Sequence, residues 1–250
     1  LYIGKVYSVV ELGIYSRADN TKQMPLDILS RMYARVAFPI FSQAAHDKQK
    51  LLTGLQYALK GVMLITTPVM AGLMVSSSEV IVILFGEKWQ AVSPILQILC
   101  LAGLFWPLQI ININVLKALG YSRLIFRTEI LKKVLGISFI ILALPYGIIG
   151  IAWSQVAYGL MGFMINAYLS GRYLGYGTTK QFFDIFPLLF ISILMSAAVY
   201  LYGDHSLLSP VPLLITKVAL GATVFLVCGF LFRLKIIKEL QLFLSRKSFA

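Results

Sequence analysis

Residues 13–45 read GIYSRADNTKQMPLDILSRMYARVAFPIFSQAA, a stretch with the apolar content of a membrane span that nevertheless carries six charges. These are Arg17, Asp19, Lys22, Asp27, Arg31 and Arg35. Projected at 100° per residue, Arg17, Asn20, Asp27, Arg31 and Arg35 fall within an arc of roughly 80°. Lys22 and Asp19 point elsewhere, while Leu26, Met32, Tyr33, Val36, Ala37 and Ile40 cover much of the remaining surface. A charge in hydrocarbon is costly, so a charged stripe must face protein, water or an ionic ligand. Pro25 stands mid-helix, where it removes a backbone hydrogen bond and offers a kink or hinge. The pattern predicts a helix that lines a cavity.

The other residues say what solvent that helix sits in. Of 250 residues 59% are hydrophobic and only 13% charged, with a mean hydropathy of +0.84. A soluble domain of this size cannot hide so much apolar surface, so the composition predicts an all-α, polytopic helical bundle of about seven transmembrane helices. The net charge of +12 would suit a nucleic-acid binder, but the basic residues lie in loops on one side, which excludes nucleic acid as the partner. Cys100 and Cys228 fall in separate spans and His46 and His205 in separate loops, so neither a disulfide framework nor a metal site is expected. No cofactor motif is present. The chain opens on Leu1 without a signal peptide before the first span, and is expected to begin inside a longer reading frame.

Taken in order, spans are expected at about 13–45, 51–76, 92–116, 124–144, 148–170, 185–202 and 212–232, followed by a basic cytoplasmic tail at 233–250. The apolar run VIVILFGEKW is too short to cross and reads as an interfacial or re-entrant segment ending at Trp89. Residues 134–171 form one uncharged run too long for a single span, and Pro145-Tyr146-Gly147 divides it into a hairpin. Taking the loops alternately, segments 43–50, 117–133, 171–183 and 233–250 hold fourteen Lys or Arg, against Lys88 alone on the other side. The positive-inside rule then puts the C-terminus in the cytoplasm and the chain start outside, which requires an odd number of spans.

The charged stripe offers an anionic headgroup a cationic wall, and arginine suits phosphate because its fork donates two hydrogen bonds. The competing reading makes Arg31 and Arg35 snorkelling residues at the cytoplasmic end, with Asp27–Arg31 as an i,i+4 pair. It is preferred for Arg35, the cavity for Arg17 and Arg31. Asn112 and Asn114, with Gln109, have the donors and acceptors to hold sugar hydroxyls, although interhelical hydrogen bonding is the commoner use of such residues in membranes. Gln155 and Asn166 read the same way. Glu129, Lys132 and Lys133 read as a solvated helix start rather than a gate, and Lys217 as a snorkelling residue. Acid and base candidates in the outer loops are not paired at useful spacing, so an enzyme is not expected.

The segment LGIYSRADNTKQMPLDILSRMYARVAFPIFSQ, with its exit Phe38-Pro39-Ile40-Phe41-Ser42, resembles the signature of polysaccharide transporters of the MOP flippase superfamily. TTPVMAGLMV at the end of the second span and LFGEKWQAVSPILQILCLAG at 84–103 are similar too, the latter close to the colanic-acid and O-antigen exporter subgroup. The resemblance implies the C-terminal half of a two-lobe flippase of the bacterial inner membrane. It implies alternating access and a cargo of undecaprenyl-pyrophosphate-linked oligosaccharide repeat units for exopolysaccharide, capsule or O-antigen synthesis. Its partners would be membrane lipids, the N-terminal lobe and polysaccharide polymerase machinery. Family members often place an arginine two residues after the alanine of the first helix. Here Ala18-Asp19 is followed by Asn20, leaving Arg17 or Lys22 as substitutes. The rival readings are a cation-coupled small-molecule exporter of the same superfamily, with Asp27 in the ion site, and a membrane polysaccharide polymerase. A polymerase would want a large Arg-rich outer loop, which the sequence lacks.

Overall fold

The computed structural model describes residues 8–44, 47–204 and 206–232; the basic tail lies outside the described residues. The chain is helical, as its composition predicts. Among the described residues there are seven long helices: α1 (Val9–Gln43), α2 (Lys48–Val75), α4 (Ser93–Ala118), α5 (Ser122–Ala143), α6 (Gly147–Leu174), α7 (Thr178–Asp204) and α8 (Pro210–Leu231). The apolar run after Ser76 makes only the nine-residue α3 (Ser77–Phe85) and a 3-10 turn, Glu87–Val92. Pro145 and Tyr146 sit in a second 3-10 turn, and α6 starts at Gly147, so the long uncharged run does fold back on itself.

Among the described residues five segments are long and apolar enough to cross a membrane: Lys48–Val75, Glu87–Ala118, Ser122–Leu174, Thr178–Asp204 and Pro210–Leu231, the third containing both α5 and α6. The chain is thus a multi-pass membrane protein. The charges of α1 keep it out of that set, so its place in the bundle depends on what it packs against. α2 begins where Asp47 accepts hydrogen bonds from the backbone N–H of Gln49 (3.0 Å) and Lys50 (3.1 Å). Those donors, that of Lys50 first, hold the Asp47 carboxyl below the usual carboxylate range.

α4 is the central helix, packed against α6, α2 and α1. Toward one end its Ile95, Leu96 and Leu99 are buried with Ala18 of α1, Ile81 of α3 and Ala152 of α6. Toward the other, Leu108, Ile111 and Val115 meet Leu55, Leu59 and Met63 of α2, Phe163 of α6 and Leu188 of α7. α5 packs chiefly on α6, and one flank of it is left uncovered at Ile130, Val134, Ile137 and Ile141. Such exposed apolar flanks suit lipid tails.

Two polar clasps tie α7 and α8 to this core. Asn112 is fully buried and exchanges carboxamide hydrogen bonds with Gln181 of α7, each 2.9 Å, while Ser170 of α6 also donates to Asn112. Gln181 donates further to the backbone carbonyl of Tyr176 at 3.0 Å. Lys217 of α8 does not snorkel. It is buried, lies 2.6 Å from Glu79 of α3 and reaches the carbonyl of Val75 at 3.4 Å. The side chain turns inward because Gly203 leaves it room, a Cβ there coming within 2.7 Å of the Lys217 amine.

Two stability outcomes are expected. Lys217→Met strands the Glu79 charge and should destabilise the protein by about 3–5 kcal/mol, with Lys217→Met/Glu79→Leu recovering most of the loss. Thermal melts in detergent read both. Gly171 faces the backbone of Gly177 so closely that a Cβ would overlap it. Gly171→Ala should therefore lower the melting point, at a cost of about 1–3 kcal/mol, because backbone cannot step aside as a side chain can.

Candidate functional site

Four of the seven long helices leave a polar cavity of about 290 Å³ between them. α1 contributes Lys22 and Gln23, α4 contributes Trp106 and Gln109, α5 contributes Glu129 and Lys132, and α6 contributes Gln155 and Tyr158. Two lysines, a carboxylate and three carboxamides within one small space are unusual for the interior of a membrane bundle, where each polar group must find a partner or a ligand. The arrangement is a site of mixed charge with a cationic and hydrogen-bonding wall.

Its partners are specific. Lys132 is 1% exposed, lies 2.5 Å from Glu129 Oε1 and donates to Asn166 Oδ1 at 3.3 Å. Asn166 in turn donates to the carbonyl of Gln109 at 3.4 Å, and Gln109 to the carbonyl of Gly159 at 3.2 Å. Close approach of α6 to α4 makes this chain possible: Gly162 sits against the Gln109 carboxamide, whose Cδ would be 2.6 Å from a Cβ at that position. On the facing helix Lys22 is paired with Asp19 at 2.5 Å. The expectation of a solvated helix start at Glu129 and Lys132 is therefore corrected. Lys132 is ten residues into α5 and turned toward α6, so it lies within the bundle.

The residues singled out in the sequence do not share one site. Arg17 lies over the Trp89 ring at 3.8 Å and the Phe85 ring at 4.7 Å, tying α1 to the turn after α3. Arg31 and Asn114 come together in a second depression of about 250 Å³, which adjoins the polar cavity through the shared Trp106 and Ile110. Asn20, Asp27 and Arg31 are exposed, and Asp27 accepts a hydrogen bond from Gln23 at 2.8 Å. Asn112 is enclosed in its clasp with Gln181. Pro25 lies within the unbroken span of α1, and the Arg35 side chain is outside the described residues. Lys22 and Lys132 were not among the stripe residues. A single-helix projection puts Lys22 off the charged arc and gives no sign that α4, α5 and α6 close over it.

A family model described as "Polysaccharide biosynthesis protein" matches residues 1–94. The chain is 27% identical over 230 residues to the teichuronic acid biosynthesis protein TuaB of Bacillus subtilis, covering 90% of this chain and 48% of that protein. It is 35% identical over 104 residues to the lipopolysaccharide biosynthesis protein WzxC of Escherichia coli, covering 42% of this chain and 21% of that one. Among solved structures, an inward closed conformation of the lipid II flippase MurJ superposes with a TM-score of 0.73 at 20% identity, over 91% of this chain and 48% of its own. The chain thus spans less than half the length of each. Its helical bundle has the fold of part of that flippase, and its sequence is similar to these polysaccharide-biosynthesis proteins, as the resemblance in its first helix implies.

Proposed function

We propose that this chain forms one lobe of a two-lobe transporter that carries undecaprenyl-pyrophosphate-linked oligosaccharide repeat units across the bacterial inner membrane for surface-polysaccharide synthesis. The observation that carries the reading is the intramembrane cavity with Lys22 and Lys132 in its wall and Arg31 beside it. A pyrophosphate needs cations and N–H donors inside hydrocarbon, and its sugars need carboxamides such as Gln23, Gln109 and Gln155. The polyprenyl chain stays in the bilayer while the headgroup passes.

A second lobe completes the cavity in this reading. α1 exposes Asn20, Asp27 and Arg31 although it lies among membrane-spanning helices, and a facing lobe would shield them. The chain also spans about half of TuaB and of the flippase. Rocking of the lobes, with Pro25 as the hinge of α1, alternates access between the two sides. The basic loops and the C-terminal tail then face the cytoplasm, where repeat units are loaded, and polymerase machinery takes them up outside.

In cells lacking the protein, with the repeat unit radiolabelled, undecaprenyl-linked units should accumulate on the cytoplasmic leaflet while surface polymer is lost. The wild-type gene should restore polymer. Lys22→Gln and Lys132→Gln, expressed at normal membrane abundance, should each lower it at least tenfold, the size expected for loss of a charge-assisted contact of about 1.4 kcal/mol or more. Single units reaching the outer leaflet without polymer would place the protein at a later, enzymatic step. Unchanged lipid and polymer would favour a small-molecule exporter.

A further inference from the structure

Both cavity lysines are neutralised by a carboxylate of their own helix three residues earlier: Lys22 by Asp19 and Lys132 by Glu129, each at 2.5 Å. The two pairs share an asymmetry. The lysine side chains are 13% and 2% exposed, whereas the carboxylates are 44% and 36% exposed. In each pair the cation is the enclosed member and the carboxylate the exposed one; Lys22, Lys132 and Glu129 line the cavity. Lys132 keeps a neutral acceptor, Asn166 Oδ1, if Glu129 leaves. Lys22 and Lys132 face the same 290 Å³ space from opposite helices.

We propose that Asp19 and Glu129 are exchangeable internal counter-ions, which hold the two lysines in the empty site and are displaced toward water by the phosphate groups of the ligand. The inference rests on the cavity being the ligand site. Its physical basis is that a bare lysine in a membrane interior is costly, so a site built to receive phosphate must be paired by something when empty. A carrier that alternates access has to cross once without cargo, and the carboxylates make that crossing possible. They also weaken anion binding, because every ligand must first break two ion pairs.

The prediction has a sign that a structural ion pair would not give. With the full-length protein in nanodiscs, binding of undecaprenyl pyrophosphate and of inorganic pyrophosphate is measured for Asp19→Asn, Glu129→Gln, Lys22→Gln and Lys132→Gln. The carboxylate variants should bind about three- to tenfold tighter, the value of one competing ion pair of modest strength, yet turn over more slowly because the empty form no longer resets. The lysine variants should bind more weakly. Asp19→Asn is the more exposed change and carries the test alone if Glu129→Gln does not fold.

Carboxylate variants that bind no tighter, beside lysine variants that bind more weakly, would overturn the exchange while leaving the cavity as the anion site. Lysine variants that bind as well as wild type would overturn both. Tightening toward inorganic pyrophosphate alone would support the exchange and make the ligand a free phosphate compound rather than a lipid.

Discussion

Hydrocarbon offers no hydrogen bonds, and that one constraint organises this molecule. The large polar side chains inside the bundle are met by others, and α4 takes part in many of these meetings. Asn112 engages Gln181 and Ser170, holding α7 and α6 to α4, while Gln109 and Asn166 link α4 to α6 and, through Lys132, to α5. Apolar packing around Leu96, Leu99, Leu108 and Ile111 supplies area, but between helices bathed in lipid such packing has little hydrophobic drive of its own. The carboxamides set which helices are neighbours.

The same rule separates structural from functional polarity. The Asn112 clasp is closed, each carboxamide donating to and accepting from the other. The Lys217–Glu79 pair is nearly closed too, and borders an apolar groove of about 580 Å³ between α2, α7 and α8. The Lys22 and Lys132 pairs differ because they border empty polar space. Small residues produce that difference: Gly162 admits the Gln109 carboxamide, and Gly103 sits close to Leu26 and Met70, bringing α1 down upon α4.

The chain is similar in sequence to proteins named for teichuronic acid and lipopolysaccharide biosynthesis, and it shares its fold with part of a lipid II flippase. What is shared with that structure is the helical bundle. Cargo identity would then be a matter of the side chains in that space, since the helices supply only the frame.

Composition and hydropathy by themselves determined that the chain is an all-α membrane bundle, because solvent preference is additive over residues and needs no knowledge of contacts. The fold-back at Pro145-Tyr146-Gly147 and the short α3 were legible for the same local reason, as was the resemblance carried by the first helix. Which polar residue meets which was not. A helical projection put Arg17, Asn20, Asp27 and Arg31 on one arc, but cannot tell that Trp89 covers Arg17 or that Lys22, off that arc, lines one cavity with Lys132. Lys132 and Lys217 read as interfacial from their distance to a helix end. Tertiary packing decided otherwise, because Asn166, Glu129 and Glu79, remote or unremarkable in sequence, supply the partners that let a lysine stay inside.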